Sequence, residues 1–283
     1  MQDVLILGAE GQVGSALTSH LLSNGHNVEA FDMDLDLRDA ANIEKLSFLL
    51  QWAEFTFFLA FDVGGSTYLK KHQSSVEFLD NNVRIMSNFA EAHQRATTEA
   101  GRPIPFIFTS SQMSSMPWSQ YGTLKRLGEF YTQALGGYNV RFWNVFGNET
   151  DPEKFHVVTD FINSAMKDYV IRMKTDGLEK RQMLHALDAS RALEALMENV
   201  DSLRSDLFYD VTSFEWVSIM EIAEEIQAVM GPDVVRDIIA GEASDEVQRD
   251  FGNEPSSPIL EFWQPTMTLR QGIEEVLRGV VHV

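Results

Sequence analysis

Tyr121 and Lys125 stand four residues apart in PWSQYGTLK (117–125), so a helix through this stretch carries both on one face. A phenol whose pKa is roughly 10 is a poor base at neutral pH. A nearby ammonium, or any other positive charge beside it, favours its phenolate, the form that general acid/base work on a hydroxyl or carbonyl needs. TSSQM (109–113) lies just upstream, and a serine at a strand end can hydrogen-bond the same substrate oxygen. Ser111 fits that role, with Ser110 the neighbour that takes it if the register slips. The competing reading of the pair is an ordinary surface tyrosine and lysine on a packing helix.

Moving a proton does not by itself interconvert a hydroxyl and a carbonyl, which also needs a redox partner, and the N-terminus offers a place for one. Gly8, Gly11 and Gly14 form GxxGxxG in GAEGQVG, between the apolar run DVLIL (3–7) and the helical pattern ALTSHLLSNG. In such a turn the first glycine allows the tight bend, the second leaves space for a pyrophosphate, and the third lets helix and sheet approach. The helix start, with Gln12 and Val13 in its first turn, then offers backbone N–H groups to the phosphates. A glycine turn that holds no ligand is the alternative. Asp32 closes the second apolar run, NVEAFD (27–32), where an acid accepts hydrogen bonds from an adenosine ribose or simply caps the turn. No Lys or Arg follows before Arg38, so a 2′-phosphate would meet Asp32 without cationic relief, which favours NAD over NADP.

The elements that must position these groups follow from the pattern. After the two runs above, only a short strand near Leu35–Leu37 is visible before FTFFLA (55–60). A long helix is predicted over 74–97, a strand over 104–111, a helix over 121–135 and a strand over 139–147. Strands alternating with helices predict an α/β fold, a Rossmann-type doubly wound parallel sheet covered on both faces. Residues 1–147 make the NAD-binding domain. Residues 148–283, with helices expected at 156–168, 188–200 and 216–230, make a smaller and mostly C-terminal substrate-binding lobe, with segments near 182–200 returning to the first domain. NEPSSP (253–258) reads as a loop.

The chain has 283 residues, with 22 Lys and Arg against 42 Asp and Glu, a formal net charge of −20 at pH 7. Such a surface repels a phosphate backbone and an anionic membrane face, so no nucleic acid and no membrane are expected as partners. No secretory leader or membrane-length apolar run is visible. There is no cysteine, hence no disulfide, thiolate metal site or thiol nucleophile. A cytoplasmic protein without a metal site is the expectation.

Together these residues resemble the extended short-chain dehydrogenases/reductases, specifically the nucleotide-sugar epimerase/dehydratase branch. Besides GAEGQVG and YGTLK, the matching pieces are Asn82 in NNVRIMSN, RFWNVFG (141–147), GLEKRQMLHALDASRAL (177–193), FEWVSIMEIAEEI (214–226) and FWQPTMTLRQGI (262–273). The resemblance implies that Tyr121 is the acid/base, that Lys125 lowers its pKa and holds the nicotinamide ribose, and that Ser111 assists at the substrate oxygen. It places Gly8, Gly11, Gly14 and Asp32 on the cofactor, Asp36 and Leu37 at its adenine side, and the backbone of Leu59 and Ala60 over it. On the substrate side it implies Asn144 against the sugar nucleotide, Arg181 against its diphosphate, and His156 in the nucleotide-binding region. For Arg181 the alternative is a solvated strand edge. Asp188 reads as the N-cap of the helix that begins at 189, and Trp143 and Trp263 as packing residues.

The chain also departs from the branch it resembles. Only ten residues separate Ser111 from Tyr121, and the aromatic-glycine pair usual after the serines is replaced by QMSSM. Gln112 and Met113 occupy the positions where sugar 4,6-dehydratases carry acids, which counts against dehydration, and the 3,5-epimerase/4-reductase type needs a cysteine. The expected activity is that of an NAD-dependent nucleotide-sugar epimerase acting through a transient 4-keto sugar on a UDP-, GDP- or dTDP-linked substrate. A C4 dehydrogenase or 4-ketoreductase is the near alternative, with AFDVGG (60–65) resembling members that act on GDP-heptoses. A non-catalytic NAD-binding or sensing protein is the alternative of a different class. A homodimer through the helices near 74–97 and 120–135 is implied by the resemblance.

Overall fold

The computed structural model describes residues 1–116, 118–149, 151–242 and 253–281. In chain order the strands are β1 (Asp3–Leu7), β2 (Asn27–Phe31), β3 (Phe55–Phe58), β4 (Phe106–Ser111), β5 (Tyr138–Phe142), β6 (Asn144–Phe146), β7 (Val170–Arg172), β8 (Lys180–His185), β9 (Phe208–Val211), β10 (Trp216–Ser218) and β11 (Asp237–Ile239). The helices are α1 (Gln12–Ser23), α2 (Ile43–Trp52), α3 (Ser66–His72), α4 (Val76–Ala100), α5 (Gln120–Ala134), α6 (Val157–Asp168), α7 (Ala186–Glu198), α8 (Ile219–Met230) and α9 (Leu269–Val281).

Six strands form one parallel sheet in the order β2-β1-β3-β4-β5-β9. Its central strands are buried on both faces, which is why VLIL, FTFF and FIF read as unbroken apolar runs. One face is closed by α1 and α7, with Leu17, Leu21, Leu193 and Leu196 packed on Val4, Ile6 and Phe57. The other is closed by α2 and α4, with Leu46, Leu50, Phe89 and Ala92 on Leu5, Phe58 and Phe108. From β1 the chain runs outward to β2 and then returns to the other side at β3. The strand order therefore reverses between β1 and β3, and open α/β sheets bind ligands in the crevice at that point.

Several elements differ from their sequence pattern. The short strand expected at Leu35–Leu37 does not form; Met33–Leu35 is a turn of 3₁₀ helix, and Leu35 and Leu37 are simply buried under the sheet. With only eleven residues between Phe31 and Ile43, the chain has no room to add a strand outside β2 and return, so β2 is the edge of the sheet. The strand expected over 139–147 breaks at Trp143. β5 stays in the large sheet, while β6 joins a second sheet of order β10-β8-β6. The helix expected at 216–230 starts instead at Ile219, behind β10, where Ser218 and Glu221 form a reciprocal capping box. The long helix starts at Val76 under a Ser75 cap and runs to Ala100, where Gly101 in the left-handed region ends it.

Asp188 is not an N-cap. His185 caps α7 through its Nδ1, and Asp188 sits one turn in, fully buried. Its carboxylate accepts hydrogen bonds from the backbone N–H groups of Thr266 and Met267, the Thr266 hydroxyl and Arg191 Nη1, at 2.6–2.8 Å. Burial alone would raise this carboxyl, yet these donors hold it below its ordinary value. Asp188→Asn keeps the shape but faces N–H donors with an NH₂ group. We expect it to cost about 1–3 kcal/mol, read as a lower midpoint in urea unfolding.

Candidate active site

The Gly-rich turn leaves β1 with Gly8 at φ +91°, a conformation that disfavours side chains, while the Gly8 and Ala9 N–H groups bond to the Phe31 carbonyl at 2.8 and 3.0 Å. A Cβ on Gly8 would meet the backbone of Ala60 at 2.6 Å, and one on Gly14 would meet the Gly8 carbonyl at 2.1 Å. These two glycines are demanded by the packing of β1, α1 and the Leu59–Ala60 backbone. Gly11 is different, because a Cβ there would make only an ordinary 3.5 Å contact. The protein's own packing does not need a glycine at that position, whereas an incoming pyrophosphate does. α1 follows with no acidic side chain in its first turn, so its N–H groups face no internal competitor for an anion. Gln12, with its amide turned to satisfy both neighbours, bridges the carbonyl of Val145 and the N–H of Gly147, tying the turn to β6. Val13 packs on the core under the sheet.

Asp32 accepts from the Glu10 N–H through Oδ2 at 3.0 Å, so it braces the turn from the end of β2. Asp36 is clamped by Arg38 through two hydrogen bonds of 2.8 Å, which hold its carboxyl below the ordinary value. Leu37 is buried, and its carbonyl accepts from Asn88 on α4.

At the carboxyl end of β4 the three candidate catalytic side chains meet. Ser119 caps α5 by accepting from the Gly122 N–H, and Gly122 lets the helix start press against the Met113 carbonyl, where a Cβ would clash at 2.1 Å. That close approach sets the Tyr121 phenol near enough to the Ser111 hydroxyl for the hydroxyl to favour the phenolate. Ser111 also accepts from the Met113 N–H. Ser110 turns the opposite way, as expected for its neighbour in a strand, and bonds Glu129 at 2.7 Å. Strand alternation therefore leaves Ser111, not Ser110, on the side of the tyrosine.

Burial pushes the Tyr121 phenol up to about 12, against a smaller downward pull from Ser111. Burial also lowers Lys125 to about 7, with the Glu129 carboxylate pulling it back up. Lys125 Nζ donates to the Thr109 carbonyl at 2.6 Å and lies 3.8 Å from the centre of the Phe61 ring. It stands 6.0 Å from the Tyr121 ring centre. In the protein alone the ammonium is thus held by a carbonyl and a ring face, and desolvation, not Lys125, sets the ionisation of the phenol.

Two networks support these side chains, and the sequence analysis assigns a role to neither. Glu129, four residues past Lys125 and wholly buried, accepts from Ser110, from Arg126 and from both the Nε and Nη2 of Arg141. Burial would raise its carboxyl, but Arg141 and the serines bring it below 4.5. The spacing Tyr121, Lys125, Glu129 was a legible signal, since all three lie on one helix face. Asn82 forms the second network: it accepts from the Asp62 N–H and donates to the Asp62 carbonyl, pinning the AFDVGG segment over Lys125. Asp62 in turn receives Tyr68 and Asn81.

The substrate-side residues are less tightly grouped. Register pairs Ser111 with Phe142, so Asn144 emerges two residues past the catalytic cluster, at the start of β6. Its Oδ1 is buried without a partner, an arrangement that a ligand hydroxyl or amide would satisfy. β6 pairs Asn144 with Met183, two residues along β8 from Arg181. Arg181 lies inside β8, between β6 and β10, and is only 7% exposed, which excludes the solvated edge. His156 caps the start of α6, and both its ring Nδ1 and its N–H engage Glu149. Trp143 packs edge-on against Trp216 and donates to Asp210; Trp263 is buried under the sheet. Gln112 is buried and accepts from Asn253.

The sequence matches the model of the NAD dependent epimerase/dehydratase family over residues 4–211. It is 26% identical over 229 residues to a UDP-2-acetamido-2,6-beta-L-arabino-hexul-4-ose reductase of Pseudomonas aeruginosa, covering 79% of this chain but 56% of that protein. Against a UDP-glucose 4-epimerase of Mycolicibacterium smegmatis it is 24% identical over 308 residues, covering 96% of both. The fold is also that of a Thermotoga maritima UDP-glucose 4-epimerase solved with UDP-glucose, at 17% identity and a TM-score of 0.81 over 99% of each chain. Among the described residues, no helix is long and apolar enough to cross a membrane.

Proposed function

Because the chain belongs to the NAD dependent epimerase/dehydratase family, we propose that it is a nucleotide-sugar epimerase working through a transient 4-keto sugar. The observation that carries this reading is the burial of Ser111, Tyr121 and Lys125 together at the carboxyl end of β4, with neutral Gln112 and Met113 following Ser111. Tyr121 takes the proton of the sugar hydroxyl and later returns it. Ser111 holds the same oxygen. Neither Gln112 nor Met113 can remove a second proton, so no water is eliminated. Gly8, Gly11, Gly14, the first turn of α1 and Asp32 hold the cofactor, and Lys125 its nicotinamide ribose. When bound, NAD⁺ supplies the hydride acceptor and a positive charge that favours the phenolate.

An epimerase must let the keto sugar turn without letting it go, and this demands a grip remote from the reacting carbon. Arg181 provides it, since a guanidinium fork suits a diphosphate even in a chain of charge −20. Arg181→Ala is expected to weaken nucleotide-sugar affinity by about 10- to 100-fold while NAD affinity stays as in the wild type. Calorimetric titration of the variant with each ligand checks this, and unchanged sugar-nucleotide affinity would remove Arg181 from the site.

The similarity to the P. aeruginosa reductase favours a second reading, a one-way C4 reductase or dehydrogenase. The two separate when purified protein and NAD⁺ are mixed with UDP-, GDP- and dTDP-sugars in turn. An isomer of unchanged mass without accumulating NADH supports epimerisation. A product two mass units lighter, formed with NADH, supports the second reading, as does NADH consumption with a 4-keto nucleotide-sugar, and no turnover in either direction overturns both.

A further inference from the structure

The far end of α1 holds a cluster that none of this chemistry uses. α1 has twelve residues, so its last turn lies about 18 Å along the axis from the Gly-rich turn. There His20, Asn24 and His26 meet Glu194 of α7. Glu194 accepts from His20 Nε2 at 2.7 Å, lies 3.3 Å from His26 Nε2, and receives both oxygens' worth of contact from the Asn24 amide. Glu198 follows one turn later on the same face of α7. One ligand atom each from His26, Glu194 and Glu198 lies within 4.8 Å of the others.

The side chain of His26 is 7% exposed, and its Nδ1 has no hydrogen-bond partner. Two carboxylates on consecutive turns stand beside that imidazole, and like charges so close repel each other until a cation sits between them. An imidazole nitrogen and two carboxylate oxygens are a donor set for a borderline divalent ion. In a tetrahedral site with bonds of about 2.0–2.2 Å, ligand atoms stand roughly 3.4 Å apart. The His26–Glu194 pair is already at 3.3 Å, and Glu198, an exposed side chain, can close the remaining gap by rotation.

We propose that His26, Glu194 and Glu198 bind a divalent transition-metal ion, Zn²⁺ foremost, with His20 orienting Glu194 from behind. The ion joins the end of α1 to α7 and so fastens two helices that cover one face of the large sheet. It is structural, because the site lies at the opposite end of α1 from the Gly-rich turn. The residues that form it are about 170 positions apart in the chain, so no local spacing announces it.

The test uses the full chain, dialysed against EDTA and then titrated with Zn²⁺ alone by calorimetry, with thermal unfolding in parallel. One saturable site is expected, together with a melting-point rise of roughly 5 °C at a hundredfold excess over Kd. Glu198→Gln, at an exposed position, should weaken that site about tenfold or more, as should His26→Gln, and His20→Gln should weaken it about tenfold through the lost orientation. Co²⁺ should give visible d–d absorption in the wild type and not in Glu198→Gln. Absence of saturable binding in the wild type overturns the proposal, as does equal binding by Glu198→Gln. If His26→Gln fails to fold, the exposed Glu198 variant still decides.

Discussion

Tyr121→Phe is expected to lower kcat by about 10³-fold, within the range that one positioned acid/base contributes. The substitution removes only the hydroxyl, and the ring keeps its edge-on contact with Phe61 at 5.9 Å. Ser111 keeps its hydrogen bond from the Met113 N–H, so the stability cost should be about 1 kcal/mol at most. NAD affinity and the sugar-nucleotide KM should change little, because the phenol acts on a proton in the transition state and not on ground-state binding. Steady-state kinetics with the substrate found in the sugar panel read this directly. A fall of less than tenfold would mean that another group moves the proton.

The largest stability effect is expected two turns along the same helix face, at Glu129. Glu129→Ala removes the carboxylate that, among the described residues, pairs with Arg141, and leaves the hydroxyl of Ser110 without its acceptor. Breaking a buried pair from one side costs about 3–5 kcal/mol, because the remaining charge stays desolvated. Urea unfolding at pH 7 measures it. The pH dependence has a definite sign. The folded-state pKa of Glu129 is lower than its ordinary 4.5, so near and below 4.5 the unfolded chain binds more protons than the native one. The carboxylate's contribution is complete above that range and is lost as pH falls through the lowered folded value, so the gap between wild type and variant should narrow on acidification. A gap that stays constant down to pH 3 would assign the loss to packing instead of charge. Because Glu129 also faces Lys125, the same variant tests whether the network that braces β4 and β5 positions the lysine; in that case kcat falls along with stability.

How much of this could be read beforehand depended on whether the determinants were local. The Gly-rich turn, the β1–α1 unit and the Tyr121–Lys125 face are set by residues within a few positions of one another, and the periodicities of strand and helix expose them. The choice of Ser111 over Ser110 follows from strand alternation once β4 is known to end at 111, which the sequence suggested without deciding. Where distant segments met, the reading failed. Asp188 looked like a helix cap because Thr266 and Met267, its real partners, lie nearly eighty residues downstream. The strand over 139–147 looked continuous because nothing in WNVF signals that β6 will pair with β8 and not extend β5. Glu129 was overlooked for a related reason: its partners Arg141 and Ser110 come from two neighbouring strands, and only their pairing brings them to α5.

The eleven-residue link from Phe31 to Ile43 has a consequence for how this architecture could be altered. At the opposite margin, Ser256 bonds the Phe208 carbonyl and Ile259 packs beneath, so β9 is roofed. Among the described residues β2 has no such cover, and its exposed Asn27 and Glu29 give it the polar outline that discourages unwanted pairing. An extra strand-helix unit spliced into 33–42 would add length to the sheet while the register of every other strand stayed as it is, at the small entropic cost of a longer loop. The fold is therefore open-ended on one side only, and that side is where natural enlargement or a designed graft can be accommodated without repacking the interior.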